Sequence, residues 1–165
     1  MNDKDRKSIQ KAKTEFKSNK KIINNLKKRK TIDIDKIFHE NHDSEFQKMD
    51  CLSCANCCKT TSPIFRDADI RRLSKHLKIK ESKLIDDYLR IDEDQDYVLK
   101  QSPCIFLNND NTCSVYEARP LACREYPHTD RKNMQQILDL TLRNSLICPV
   151  VARIFDYINL GQNSK

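Results

Sequence analysis

Apolar residues recur at Ile9, Ala12, Phe16, Ile23 and Leu26, near-heptad spacing in a stretch otherwise crowded with lysine. That stripe predicts a helix over about residues 4–28, broken near Lys30-Thr31. A second helix is expected from about Asp33 to Met49, with Ile34, Ile37, Phe38, Phe46 and Met49 on one side. The cysteine-rich stretch that follows reads as a loop. Ser62-Pro63 marks a turn, and Asp67 is a good N-cap for a helix carrying Ile70, Leu73 and Leu77. Leu84, Ile85, Tyr88 and Leu89 signal one more helix. The acidic run Asp92-Glu93-Asp94-Gln95-Asp96 lacks the glycine and terminal glutamate of a calcium loop and reads as a solvated turn, leading to a strand candidate at Tyr97-Val98-Leu99.

Pro103 to Tyr116 reads as a small hairpin around Asn108-Asn109-Asp110-Asn111, with Cys104 and Cys113 near its ends. Two prolines make Arg119 to Pro127 irregular. Asp130 is expected to cap a helix with Met134, Ile137, Leu138 and Thr141 inward. A last helix follows Pro149, a suitable first-turn residue, and buries Val150, Val151, Ile154, Phe155 and Ile158. Residues 161–165 look frayed, and no internal repeat is present. The expected fold is mainly α: a small metal-stapled domain with a short β-hairpin and a helical N-terminal extension. The extension covers residues 1–49, and the cysteine domain residues 50–160.

Metal enters through the cysteines. Cys51-x-x-Cys54-x-x-Cys57-Cys58 places four thiols in eight residues, followed by Cys104, Cys113, Cys123 and Cys148. Tight Cys-x-x-Cys spacing lets one loop wrap its sulfurs around an ion or a cluster, and Cys148-Pro149 repeats the ferredoxin habit of a last cysteine before proline. Neighbouring Cys57 and Cys58 should face different partners, so eight thiolates divide into two sites, or into one cluster plus a secondary site. A disulfide framework needs an oxidising compartment. The charged start Met1-Asn2-Asp3-Lys4-Asp5-Arg6-Lys7 has no apolar leader, and the longest apolar run, Leu146 to Ala152, falls far short of the roughly 20 residues that span a bilayer. A cytoplasmic protein with no membrane partner is expected, where ordinary thiols stay reduced, and metal is preferred to disulfides or inert buried thiols. The eight sulfurs are expected to converge. Soft thiolates select zinc or an iron–sulfur cluster over magnesium or calcium.

Composition narrows the chemistry further. Of 165 residues, 38% are apolar and one is glycine, so the core is modest and metal should contribute to folding. The lack of glycine argues against phosphate loops, dinucleotide fingerprints and nucleophile elbows. Residues 1–30 hold twelve Lys/Arg and three Asp/Glu, a charge of +9 that leaves −2 for the rest. Lys27-Lys28-Arg29-Lys30 could contact nucleic acid or an anionic surface. The preferred reading is a solvated helix face whose apolar stripe docks on the domain or on a partner protein.

Together with the cysteine knuckle, Pro103-Cys104-x-Phe106-Leu107, Cys113-Ser114-x-Tyr116, Arg119-Pro120-x-x-Cys123-Arg124-x-x-Pro127 and Cys148-Pro149 resemble the YkgJ-type cysteine-cluster family over about residues 50–150. That resemblance implies a zinc- or iron-chelating domain, with Cys51, Cys54, Cys57, Cys58, Cys104, Cys113, Cys123 and Cys148 as ligands. A related domain occurs in flagellin lysine-N-methylases. No site for a methyl donor is visible in this nearly glycine-free chain, so the resemblance implies metal binding without a specific reaction. The family usually has glycine in the knuckle, where this chain has Ala55-Asn56. Two further function classes stay open: an iron–sulfur enzyme or electron carrier, and an interaction module using the basic arm. His128 could join a mixed site but is expected at the surface, and His39, His42 and His76 are expected to face solvent. Arg119 and Arg124 either support thiolates or pair with Glu117 and Glu125.

Overall fold

The N-terminal stripe folds as two helices rather than one. In the computed structural model, which describes residues 1–28 and 33–163 with side chains through residue 160, α1 spans Asp3–Thr14 and α2 spans Phe16–Lys28. Between them Glu15 leaves helical values, at φ −90° and ψ 8°. The Asn2 side chain caps α1 by accepting from the Asp5 N–H at 2.8 Å. Ile9, Ala12, Ile22, Ile23 and Leu26 are buried, and the lysines lie outside. The expected break at Lys30-Thr31 lies outside the described residues.

The chain forms two compact units, Met1–Cys54 with Pro127–Lys165, and Ala55–Tyr126. In the first unit, α3 (Ile34–Phe46) starts at an Asp33 cap and ends before the expected Met49. The short α4 (Cys51–Cys54) follows. Later in the chain come a 3-10 turn (Met134–Ile137), α9 (Leu138–Asn144) and α10 (Pro149–Asn163). Helix α10 stays helical to Asn163 where fraying was expected at 161–163; residues 164–165 lie outside the described set. α10 packs against α1 and α3, and α2 against α9. Phe38, Phe155, Ile23, Leu138, Val150 and Val151 are fully buried. Burial of such side chains stabilises by about 1.5–3 kcal/mol each, more than helix propensity supplies, so packing holds the lysine-rich α1 and α2 in place.

The helix expected to start at an Asp130 cap is capped from elsewhere. Asp35, in the first turn of α3, accepts from the N–H groups of Asn133 and Met134, both at 2.7 Å. Asn133 sits at φ 60°, which sets the chain's entry into the 3-10 turn.

The second unit holds α5 (Asn56–Thr60), α6 (Asp67–Leu77), α7 (Glu81–Tyr88), the strands β1 (Leu89–Ile91) and β2 (Tyr97–Leu99), and the short α8 (Leu121–Arg124). The antiparallel register pairs Leu89 with Leu99 and Ile91 with Tyr97 around the acidic turn. The hairpin thus lies before Cys104, and Leu89 opens its first strand instead of closing a helix. Between Cys104 and Cys113 the backbone forms a narrower loop with a single Leu107–Cys113 bridge. The core is Phe65, Ile70, Leu73, Leu84, Leu89, Leu99, Phe106, Val115 and Ala118, with Cys104 and Cys113 packed against it. The fold is mainly α, as the periodicities require.

Candidate metal centre

The knuckle is helical rather than a loop. Ala55, at φ 48° and ψ 19°, ends the turn that carries Cys51 and Cys54 and starts the turn that carries Cys57 and Cys58. An L-residue with a Cβ occupies this left-handed region at a cost of about 1–2 kcal/mol, which glycine avoids.

Four separate segments of the second unit bring thiols together. Cys58 comes from α5, and its carbonyl accepts from the Cys104 N–H at 2.8 Å. Cys104 opens a tight turn closed by Leu107 N–H donating to its carbonyl at 3.1 Å. The Cys104 sulfur receives the N–H groups of Phe106 and Leu107, and the Cys113 sulfur that of Val115. Cys123 sits on α8, whose first turn is closed by Cys123 and Arg124 donating to Pro120 at 3.0 and 3.2 Å. Main-chain N–H groups aimed at sulfur favour thiolate over thiol, an arrangement suited to a ligand.

These thiols feel one another's charge. A hydrogen bond from the Cys57 thiol, helped by the positive charges of Arg119 and Lys59, holds Cys58 down at about 7. Burial raises Cys104 and Cys113, and the charge on Cys58 raises both further. Cys123 is pushed up to about 12, first by burial and then by Cys58, Cys104 and Cys113. One thiolate forms readily and opposes the next three. A bound cation reverses that opposition, because each further thiolate is then attracted. Arg119 is the protein's own counter-charge, opposing the upward shifts of Cys113 and Cys123 as well as lowering Cys58. Its guanidinium lies 3.4 Å from the Tyr116 ring centre, and its Nε donates to the Tyr116 carbonyl at 2.8 Å.

The first unit holds a second set. Cys148 is buried before Pro149, the first residue of α10, and its sulfur receives the N–H groups of Val150 and Val151. It therefore caps the helix as a serine or aspartate would. Burial pushes Cys148 up to about 12, and the charges of Cys51 and Cys54 add to the shift. Cys54 is buried and Cys51 exposed, and no disulfide joins any of the eight cysteines.

The donor set fits zinc or iron in its chemistry: soft sulfurs, amide N–H support and a compensating arginine. Among the described residues, no three His, Cys, Asp or Glu side chains form a ready-made ion cage. The thiols are grouped but not closed around an ion position.

The histidines divide. His76 is exposed as expected, whereas His42 is not solvent-facing. Its Nδ1 lies 2.7 Å from the Thr129 hydroxyl, and its ring stacks on Phe46 with centres 4.4 Å apart. His39 Nε2 meets the Arg131 carbonyl at 3.0 Å, and His128 is half-buried at φ 66°. On the arm, Lys4, Lys7, Ser8 and Lys11 line a shallow cleft with Asp156, to which Lys11 is paired at 2.8 Å. Among the described residues no helix is long and apolar enough to cross a membrane.

The sequence did not reveal what supports the Arg119–Cys123 segment. Asp69 in α6, 2% exposed, accepts from the Leu121 N–H at 3.0 Å and from the Arg66 N–H at 3.1 Å. Arg72 pairs with Asp69 and donates to the Arg119 carbonyl at 2.6 Å. Arg66, rather than the expected Asp67, is the N-cap of α6; an acid three residues after it was a readable capping signal, but its reach to residue 121 was not. Residues 50–142 match the family model CxxCxxCC, described as "Putative zinc- or iron-chelating domain". No curated protein and no solved structure matches the chain.

Proposed function

The chain belongs to this zinc- or iron-chelating family, and from that premise we propose that it is a cytoplasmic metal-binding protein that holds zinc or an iron–sulfur cluster. Its ligands are drawn from Cys51, Cys54, Cys57, Cys58, Cys104, Cys113, Cys123 and Cys148. The observation that carries this is the gathering of Cys58, Cys104, Cys113 and Cys123 from four segments into mutual electrostatic range. Four thiolates complete the shell of one zinc ion, or of one small cluster. Cys51, Cys54 and Cys148 form a second donor group. Bound zinc would supply a closed structural cross-link, and an iron–sulfur cluster would add redox chemistry. The chain's residues contribute the thiolates, the amide N–H groups that support them, and Arg119 to balance their charge.

Purification without oxygen, followed by metal analysis and a visible spectrum, tests this. A colourless protein with stoichiometric zinc supports a structural site. A brown protein with iron and acid-labile sulfide supports the electron-carrier or iron–sulfur enzyme branch. A chain that retains neither metal, and takes up neither on reconstitution of its reduced thiols, overturns the proposal.

A further inference from the structure

The Arg119-Pro120-Leu121-Ala122-Cys123 segment carries both a thiol of the four-thiol group and the arginine whose charge bears on it. Its main chain is held from both sides of Pro120. Before the proline, the Arg119 carbonyl accepts from Arg72 Nη2 at 2.6 Å. After it, the Leu121 N–H donates to Asp69 Oδ1 at 3.0 Å. The second oxygen of Asp69 is tied to its own helix through the Arg66 N–H at 3.1 Å. Pro120 keeps φ at −59°, so little backbone freedom remains between the two anchors. Asp69 is nearly fully buried, with side-chain exposure of 3%, and Arg72 beside it is 31% exposed. A hydrogen-bonded carboxylate at that depth, spanning 52 residues of sequence, costs desolvation that an apolar contact would not.

Accepting the thiolate metal site proposed above, we propose that Asp69 and Arg72 are positioning residues for it. They fix the backbone of Arg119 and Leu121 and so set where the Cys123 sulfur meets the bound metal and where the Arg119 cation stands beside the thiolates. A carboxylate oxygen directs the Leu121 N–H, and the turn it starts delivers Cys123 two residues later. Loss of the anchor lets this turn rotate while the other three thiols stay in place. The expected defect is a distorted or weakened site rather than the loss of one ligand.

The experiment uses the full reduced chain and cobalt(II) as the probe, reading ligand-field absorption and competition with a chelator. Asp69→Ala should weaken cobalt binding by about 10–100-fold, the usual effect of losing support behind a ligand, and should shift the ligand-field bands. Asp69→Asn keeps an oxygen for the Leu121 N–H and should recover most of both. Leu121→Pro removes that N–H donor at a first-turn position that tolerates proline, and Leu121→Ala, which loses the half-buried side chain but keeps the N–H, should stay near wild type. The proline variant should reproduce the Asp69→Ala defect and provides the answer if Asp69→Ala fails to fold. Wild-type bands and affinity in a folded Asp69→Ala or Leu121→Pro chain would overturn the positioning role. Absence of thiolate-to-cobalt absorption in the wild type would instead overturn the metal site itself.

Discussion

Replacing Arg153 with methionine should loosen α1 from α10, the helix that Cys148 caps. Arg153 Nη1 lies 2.8 Å from Asp5 of α1, its Nε donates to Glu45 of α3, and Nη2 lies 3.5 Å from the Met49 sulfur. Side-chain exposures are 11% for Arg153, 8% for Asp5 and 3% for Glu45, which removes these pairs from the surface regime of about 0–1 kcal/mol. Removing one partner of a buried pair costs about 3–5 kcal/mol because a charge is left uncompensated. Glu45 keeps the Tyr157 hydroxyl at 3.0 Å and Lys48 at 3.2 Å, so the lower end is expected. A loss of about 3 kcal/mol lowers Tm by roughly 6–12 °C for a chain of this size.

The pH dependence makes the test sharper. Burial alone would raise Glu45, but hydrogen bonds from Arg153, Tyr157 and Lys48 outweigh it and hold the carboxyl below its ordinary 4.5. A folded value below the unfolded one gives stability that is present above the carboxylate range and is lost as pH falls through the folded value. Without Arg153, burial dominates and Glu45 moves up, so acid relieves the variant while it weakens the wild type. Urea unfolding followed by circular dichroism, at neutral pH and near pH 4, should therefore show the gap narrowing in acid. A gap below about 1 kcal/mol at neutral pH, or one that does not change with pH, would refute the buried-network account.

Three further outcomes are expected. Asp35→Ala should destabilise by about 1–2 kcal/mol, as lost caps do, whereas Asp130→Ala, at an exposed residue 4.0 Å from His42, should cost little; equal losses in urea titrations would reject the non-local cap. Metal removal from a loaded chain should expose amides of residues 50–150 to hydrogen exchange more than those of α1 and α2, and rebinding should release protons; an unchanged exchange map for verified apo-protein would show that the fold stands without metal. In the metal-free reduced chain near neutral pH, iodoacetamide should modify Cys58 before Cys104, Cys113, Cys123 or Cys148, because the thiolate is the reacting form; mass spectrometry showing Cys123 ahead of Cys58 would contradict that order.

Elements set by local periodicity were legible in the sequence. The stripe Ile70, Leu73 and Leu77 and the run Val150 to Ile158 each became a helix that starts within a residue of the expected position. Elements set by a distant partner were not. Asp130 had a credible capping position, but Asp35 reaches the turn from nearly a hundred residues away. His42 lay among polar neighbours on its helix, yet Thr129 and Phe46 draw it inward. The hairpin moved because the acidic turn at Asp92 closes two strands, with Asp92 Oδ1 accepting from Asp94 and Asp96 at 3.0 Å each. In the Cys104–Cys113 loop the N–H groups of Phe106 and Leu107 instead face the Cys104 sulfur.

The knuckle shows how one local departure becomes architecture. Spacing alone gave Cys51, Cys54, Cys57 and Cys58 as donors but left their shape as a loop. Two helical turns joined by a left-handed residue are what the backbone adopts. With one glycine in the chain, left-handed positions fall to Ala55, Lys78, Gln95, Asn111, His128 and Asn133. Asparagine tolerates this region through its short polar side chain, but alanine has no such compensation. Ala55 is also buried, so its methyl group recovers about 0.8 kcal/mol of the conformational cost. At Ala55 packing thus offsets part of the cost of a left-handed backbone, and the sequence could not show this because an alanine between cysteines is compatible with either helix or loop.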